Sequence, residues 1–499
     1  MKITRNCFSR SNLKWALVLF CLIATTAFAG TPKWVAATSA GGTGSDFSWA
    51  VKVSPDNRQY ITGSFTETAT FGSTTLTSAG GLDIFLAKYA GPGDLLWIVQ
   101  AGGSSDDSGQ DVAFDGDGNV YLTGSFTNLA TFGSTKGATI TVTGTGVTIF
   151  LAKYTSSGAL LWVQTGAAPY AQQNNTLGVA VNAATGSVYI AGTSQNDTTF
   201  SSANGTVNTV PGVGTWHMIL AKYDTNGNFK WGETNAAEPN SISYAVAVDP
   251  NDNAYVTGWL EDTTTFYSND GEDITVTGFS PAQTTGDYPD DAFLVKYDRK
   301  GNVKWVNHIG GYKGEGSSVA VSPSGDITLV GFVGNINYGS AGEAETIVTS
   351  LPPGKNLVLG GGVFTNPFTR DVLIVTYDAA GVLKSAQRRG GSDQAVATGM
   401  AYDLAGNLYV SGVFLGTTNP ITLFVEKFSG KKLLWQKAAG NAGEWNDNNT
   451  LISPAASVDS AGKVFVTGGY EGTASFGGIN LESPGPSSIF LAELAPDSD

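Results

Sequence analysis

The stretch Gly118-Asn-Val-Tyr-Leu-Thr-Gly-Ser-Phe126 decides the architecture of this 499-residue chain, because it recurs. Its core returns as Tyr60-Ile-Thr-Gly63, Tyr121-Leu-Thr-Gly124, Tyr189-Ile-Ala-Gly192, Tyr255-Val-Thr-Gly258, Thr328-Leu-Val-Gly331, Tyr409-Val-Ser-Gly412 and Phe465-Val-Thr-Gly468, seven copies in all. A second element follows each copy: Phe85-Leu-Ala-Lys-Tyr89, then Phe150 to Tyr154, Ile219 to Tyr223, Phe293 to Tyr297, Leu373 to Tyr377, Phe424 to Phe428 and Phe490 to Leu494. Trp97, Trp162, Trp231 and Trp305 each stand eight residues beyond the tyrosine that ends this element. Ser385 holds that offset after Tyr377, and Trp435 comes one residue early after Phe428. A fixed offset over divergent residues means a fixed backbone connection.

Each repeat resolves into four short strands, A to D. Strand A alternates apolar residues, as in Val112-Ala-Phe114 and Val246-Ala-Val248. B is the Tyr-x-Thr-Gly element, C the Phe-Leu-Ala-Lys-Tyr element, and D ends near the tryptophan. Period-two patterning in β-branched and aromatic residues marks strands. Asp115-Gly-Asp-Gly-Asn119, Asp249-Pro-Asn-Asp-Asn253 and Asp403-Leu-Ala-Gly-Asn407 between A and B supply the residues that tight hairpins need. So do Asp224-Thr-Asn-Gly227 and Asp298-Arg-Lys-Gly301 between C and D. Four-stranded meanders at this spacing predict an all-β, seven-bladed β-propeller of antiparallel blades. The last repeat stops after strand C, while Trp34-Val-Ala-Ala37 reads as a lone strand D. Placed in the last blade, it closes the ring and removes an open edge.

With Asp83-Ile-Phe-Leu-Ala-Lys-Tyr89 beside Gly118 to Phe126, the repeat resembles the SBBP-type β-propeller repeat of exported bacterial proteins, over essentially all of residues 30–499. The resemblance implies an architecture and no common chemistry. Repeats five and six depart from it most; the fifth has Thr328 for tyrosine and Ser385 for tryptophan.

The first 29 residues read as a secretory signal peptide. Lys2, Arg5, Arg10 and Lys14 precede an apolar run, Trp15 to Thr26, and Ala27-Phe28-Ala29 is a small-x-small cleavage site before Gly30. Cys21 invites lipidation, but Phe20 precedes it where a small residue is expected, so ordinary cleavage is the expectation. Cys7 and Cys21 are the chain's two cysteines, which leaves the remainder without disulfides or thiolate sites. Losing four basic residues takes the formal charge from −15 to −19. That balance, with no Lys/Arg cluster, argues against nucleic acid and anionic membranes. An exported, periplasmic or extracellular monomer with no membrane insertion is expected.

Strand alternation puts the A–B and C–D turns on one face and the B–C and D–A connections on the other. The B–C segments vary most, from 12 residues (Gly412 to Phe424) to 42 (Gly331 to Leu373). Variable loops on a rigid scaffold usually carry binding. The D–A loops on that face hold Asp46, Asp106, Asp107, Tyr312, Glu315, Asp393, Glu444, Trp445 and Asp447 as candidate rim residues around a central channel. Tyr170, Tyr312 and Trp445 are candidates for stacking on sugar rings. Asp115, Asp117 and Asn119, and Asp249, Asn251 and Asn253, alternate oxygen ligands as in a calcium loop, but lack the glycine and glutamate that complete one. Calcium is the one cofactor this pattern admits; otherwise none is expected. His217 and His308 have no nucleophile or metal spacing beside them and read as packing residues. The expected function is a non-catalytic scaffold for a polysaccharide, a surface partner or a small polar ligand. The alternatives are a glycosidase or lyase using loop carboxylates, which need only two placed acids, and a structural part of a cell-surface assembly.

Overall fold

The structure, a computed structural model, describes residues 31–167, 178–212, 215–238, 240–279, 290–310, 313–336, 346–350, 356–359, 368–390, 394–415, 421–440, 442, 444–445, 451–452 and 454–497. All regular elements among them are β-strands. Residues 1–30, on which the leader reading falls, lie outside the described residues.

The strands pair as successive antiparallel meanders. The first is Asp46–Val53, Gln59–Phe65, Asp83–Tyr89 and Leu95–Gly102. The second is Ser108–Phe114, Val120–Phe132, Ile140–Tyr154 and Leu160–Ala167. Next come Gly178–Asn182 through Phe229–Glu238, Ser241–Val248 through Val303–Gly310, Lys313–Val321 through Leu383–Arg389, and Gln394–Tyr402 through Lys432–Gly440. The last runs Ala455–Val458, Val464–Tyr470 and Ser488–Leu494, and its fourth strand is Trp34–Gly42, with Ala40 opposite Ile489 and Trp34 opposite Leu494. This is a β-propeller architecture.

The strand-B glycines have a specific cause. A β-bulge interrupts the first strand of the first meander between Ser48 and Ala50, opposite Gly63. A Cβ on Gly63 would lie 2.0 Å from the Phe47 carbonyl oxygen, and one on Gly124 would lie 1.9 Å from that of Ser108. Equivalent bulges stand at Gly109/Asp111, Ser243/Ala245, Gly316/Ser318 and Ala397/Gly399. In these five blades the close approach is therefore inside the blade, at the bulge.

Neighbouring blades are clasped by the lysine and tryptophan of the repeat. Lys88 Nζ and Trp97 Nε1 both donate to the Ser156 carbonyl, in the C–D turn of the next blade, at 3.3 and 3.2 Å. Lys153 and Trp162 do the same to Thr225, Lys222 and Trp231 to Arg299, and Lys296 and Trp305 to Ala379. In the sixth repeat Lys427 and Trp435 grip the Asp497 carboxylate at 2.6 and 2.7 Å. Each lysine also sits over its strand-B tyrosine, for example 5.0 Å from the Tyr60 ring centroid. Where the fifth repeat has Thr328, Thr376 and Ser385, Tyr402 of the next blade bonds Thr328 at 2.7 Å, and Arg389 pairs with Glu426 at 2.9 Å.

The B–C segments differ from the expectation of free binding loops. Five of them carry a described two-stranded hairpin, and the second repeat makes the same ribbon by prolonging its B and C strands. Thr68–Phe71 with Thr74–Thr77 pairs through Thr70 and Ala69 with Gly41 and Gly42 of the preceding fourth strand. Phe132 likewise meets Ala101, Phe200 meets Gly166, Phe266 meets Asn235, Val348 meets Ile309 and Ser475 meets Gly440. The hairpin covers an outer edge that would otherwise expose unpaired backbone groups. Its phenylalanine turns back under its own blade: Phe71 on Phe85 at 4.9 Å between ring centroids, Phe132 on Phe150 at 4.9 Å, Phe476 on Phe490 at 5.0 Å. The sixth repeat, with the shortest B–C segment, contributes no hairpin among the described residues, and the fifth sheet has four strands.

Candidate functional site

The bulges that require the strand-B glycines also aim side chains. Inserting one residue into a strand re-directs it out of the ladder. The inserted residues are Trp49, Gln110, Tyr244, Ser317 and Thr398, and all five line one cavity of about 430 Å3. Its wall is completed by Lys52, Asp111, Gly178, Glu315, Phe332, Arg370 and Ala455, so that all the first strands contribute to it. One backbone device thus presents a different side chain from blade to blade.

The charged part of the wall lies where the fourth and fifth blades meet. Tyr244 Oη receives a hydrogen bond from Trp259 Nε1 at 2.9 Å and is itself bonded to the Glu315 carboxylate. Burial pushes the Glu315 carboxyl up to about 6, against the opposing pull of Lys313 and Arg370. Lys313 Nζ lies 2.8 Å from Asp290 and 3.8 Å from Glu315. The Arg370 guanidinium carbon sits 4.7 Å from the Phe332 ring centroid. Across the cavity, Lys52 lies 3.5 Å from Asp111, whose other oxygen accepts the Val179 N–H at 3.1 Å. Glu315 and Arg370 stand near the starts of Lys313–Val321 and Phe368–Tyr377. Those strand ends face the B–C and D–A connections, the side expected to carry function.

Of the sequence candidates, Glu315 lines the cavity. Asp46 is fully buried and accepts the N–H groups of Gly42 and Thr66 at 2.8 and 3.3 Å. Asp107 takes those of Gly103 and Thr127 at 2.7 and 2.8 Å, and Asp106 takes that of Leu82 at 3.0 Å. These three lock D–A loops in place. Burial raises Asp46 to about 6 and Asp107 to about 7. Tyr312, Asp393, Asp447 and Tyr170 lie outside the described residues, as do the side chains of Glu444 and Trp445, whose backbone pairs with Leu451–Ile452.

The calcium-like sets are hairpin locks. Asp115 Oδ1 accepts the N–H groups of Asp117 and Asn119, while Oδ2 receives Asn119 Nδ2, Tyr121 Oη at 3.0 Å and Lys153 Nζ at 3.1 Å. Asp249 repeats this with Asn251, Asn253 and Tyr255. A carboxylate so engaged by donors has little left for a cation, and no group of three metal-binding side chains converges among the described residues. His308 stacks on Phe279 at 4.4 Å between centroids, and burial holds it and His217 near 4, uncharged at neutral pH.

Sequence reasoning missed the bulged residues. Their signal was present: each stands two positions before a buried apolar residue of strand A (Val51, Val112, Val246, Val319, Met400), on the face that strict alternation would bury. Polar Gln110, Ser317 and Thr398 break that rule.

The fold and the repeated clasp define a β-propeller repeat protein. Residues 96–125 match the family model described as the SBBP beta-propeller repeat. The chain is 25% identical over 338 residues to an uncharacterised WD repeat-containing protein of Acanthamoeba polyphaga mimivirus; the match takes in 56% of this chain and 24% of that protein's length. Among solved structures, the Dos1 propeller aligns over 93% of this chain and 95% of its own, with 11% identity and a TM-score of 0.42. The microbial sialidase Hz136 (Hadza) aligns over 92% and 93% at 10% identity and a TM-score of 0.34. Virginiamycin B lyase from Staphylococcus aureus aligns over 77% and 94% at 8% identity and a TM-score of 0.28.

Proposed function

We propose that this chain is an exported, non-catalytic binding scaffold, a closed ring of seven blades that holds a small polar ligand or the end of a polysaccharide in the cavity between its first strands. The observation that carries this reading is the set of bulged side chains converging on that cavity. Concave sites of a few hundred cubic ångströms that mix aromatic walls with a few polar groups are the common form of small-ligand sites. Ring closure is supported by the pairing of Trp34–Gly42 with Ser488–Leu494, and by Ser48 Oγ meeting Thr467 Oγ1 at 2.6 Å between first and last blades. Export rests on the leader pattern of residues 1–29. Binding is favoured over bond cleavage because Asp111 and Asp290, near the cavity, are held by Lys52 and Lys313.

Glycan-array binding and calorimetry on the purified protein test this reading. Saturable binding of one saccharide class, weakened at least tenfold by Trp49→Ala, is the expected outcome. Turnover of any polysaccharide in a parallel hydrolysis assay would overturn the non-catalytic part. Capture of envelope proteins with no glycan binding would favour a structural role instead.

A further inference from the structure

Resting on the reading of the cavity as a saccharide site, we propose that its ligand carries a carboxylate, as a uronate unit does, and that Arg370 is the anchor for that group. The other described arginines near a carboxylate are paired: Arg388 Nε lies 2.6 Å from Asp371, and Arg389 lies 2.9 Å from Glu426. Arg370 has no carboxylate within 4.0 Å among the described residues, although it lines the cavity and is largely buried.

Burying a guanidinium is costly unless something meets it. Phe332 meets it at 4.7 Å from the ring centroid to the guanidinium carbon. The planar fork of a guanidinium matches a carboxylate through two parallel hydrogen bonds. Glu315 is near enough to favour the charged form of Arg370, but it is already bonded by Tyr244 and lies 3.8 Å from Lys313. It neutralises the site's charge without occupying the fork. Burial has also weakened Glu315 as an acid. Below about pH 6 it becomes a donor, so it no longer opposes a second carboxylate beside it. Among the described residues the charged groups around it are Lys313, Asp290 and Arg370.

The remainder of the wall suits a sugar ring: Trp49 and Tyr244 bring aromatic rings to it, and Ser317, Ser318 and Thr398 bring hydroxyls, that of Thr398 donating to the Pro454 carbonyl at 2.9 Å. Trp49 Nε1 has no hydrogen-bond acceptor among the described residues. With a guanidinium that makes no ion pair and an indole N–H that has no acceptor among the described residues, the cavity suits an oxygen-rich anion.

The test is isothermal calorimetry on the purified protein with galacturonate and glucuronate, the neutral sugars galactose and glucose, and succinate as a carboxylate without a ring. The expected result is that a uronate binds at least tenfold more tightly than its neutral counterpart. Arg370→Gln removes that advantage, and Arg370→Lys restores only part of it, with thermal midpoints close to that of the parent. Equal binding of uronate and neutral sugar would overturn the carboxylate anchor and leave the saccharide site standing. Succinate binding as tightly as the uronates would overturn the sugar component. No binding by any probe would sink the cavity reading together with the anchor. If Arg370→Gln fails to fold, Phe332→Leu, which removes the ring and keeps the fork, is expected to weaken uronate binding more than neutral-sugar binding; equal weakening would count against the anchor.

Discussion

At the residue scale, one repeat position illustrates how a local departure becomes a measurable property. Two residues past the strand-D tryptophan stand Gln164, Glu233 and Asn307 in successive blades. Asn307 uses its amide to reach the Gly381 carbonyl in the next C–D turn at 2.9 Å. Glu233 faces the corresponding Gly301, buried to 7% exposure with Asp273 and Asp270 nearby. Burial first, and then those two charges, push its carboxyl up to about 8. An acid whose folded pKa is raised is most favourable when protonated. Its contribution is full below the unfolded value near 4.5 and declines as pH rises toward about 8. Glu233→Gln is expected to leave the thermal midpoint at pH 4 nearly unchanged and to raise stability at pH 8.5 by roughly 1–3 kcal/mol. Calorimetric melts across that range check it, and a variant less stable than the parent at pH 8.5 would refute it.

At the element scale, the B–C hairpin matters most. It belongs to one blade by sequence and to the preceding one by hydrogen bonding, so it links neighbours without adding to the inner strands. Phe132 is fully buried against Phe150 while its backbone pairs with Ala101. Phe132→Ala is expected to cost about 3–5 kcal/mol, the range for emptying a buried aromatic site. Protease cleavage near residues 129–143 should also increase, as the ribbon leaves the Leu95–Gly102 edge. Denaturant unfolding gives the first quantity and limited proteolysis the second. A loss under 1 kcal/mol with unchanged cleavage would show that the hairpin is decoration. The fifth blade supplies a natural comparison. There the outer strand Leu383–Arg389 has no described hairpin, and Arg389, against Glu426 and the Phe428 ring, occupies the junction.

At the scale of the whole molecule, the first and last described strands are brought together. Trp34 packs on Phe476 at 5.1 Å between ring centroids and donates its indole N–H to the Ala438 carbonyl at 3.1 Å. Asp497, at the other terminus, is held by Lys427 and Trp435. Ordering one end therefore supports the other. Deleting residues 31–42 is expected to expose the edge of Ser488–Leu494, lower the thermal midpoint by more than about 5 °C and promote association through the open edge. Light scattering and melting of the truncated protein read both effects. A monomer as stable as the parent would mean that the last blade does not depend on the N-terminal strand.

The repeat itself was legible because its signals are local. Hairpin aspartates, alternating apolar residues and a tryptophan at constant offset each reflect backbone geometry within a few residues, and they specify strands, turns and the propeller class without reference to distant parts. The same locality explains what stayed hidden. Whether Asp46 and Asp107 face a channel or clamp their own loops depends on backbone N–H groups some 20 residues away. Asp115 is consumed by Lys153 from another strand. The B–C segments looked like free loops because the edge they cover belongs to a different repeat. The cavity wall was hidden for a further reason. A one-residue bulge reverses which way a side chain points, and that reversal is set by pairing against a glycine on the neighbouring strand. Residue type and spacing determined the blades; only the meeting of strands far apart in the chain decided that Trp49, Tyr244, Glu315 and Arg370 share one space.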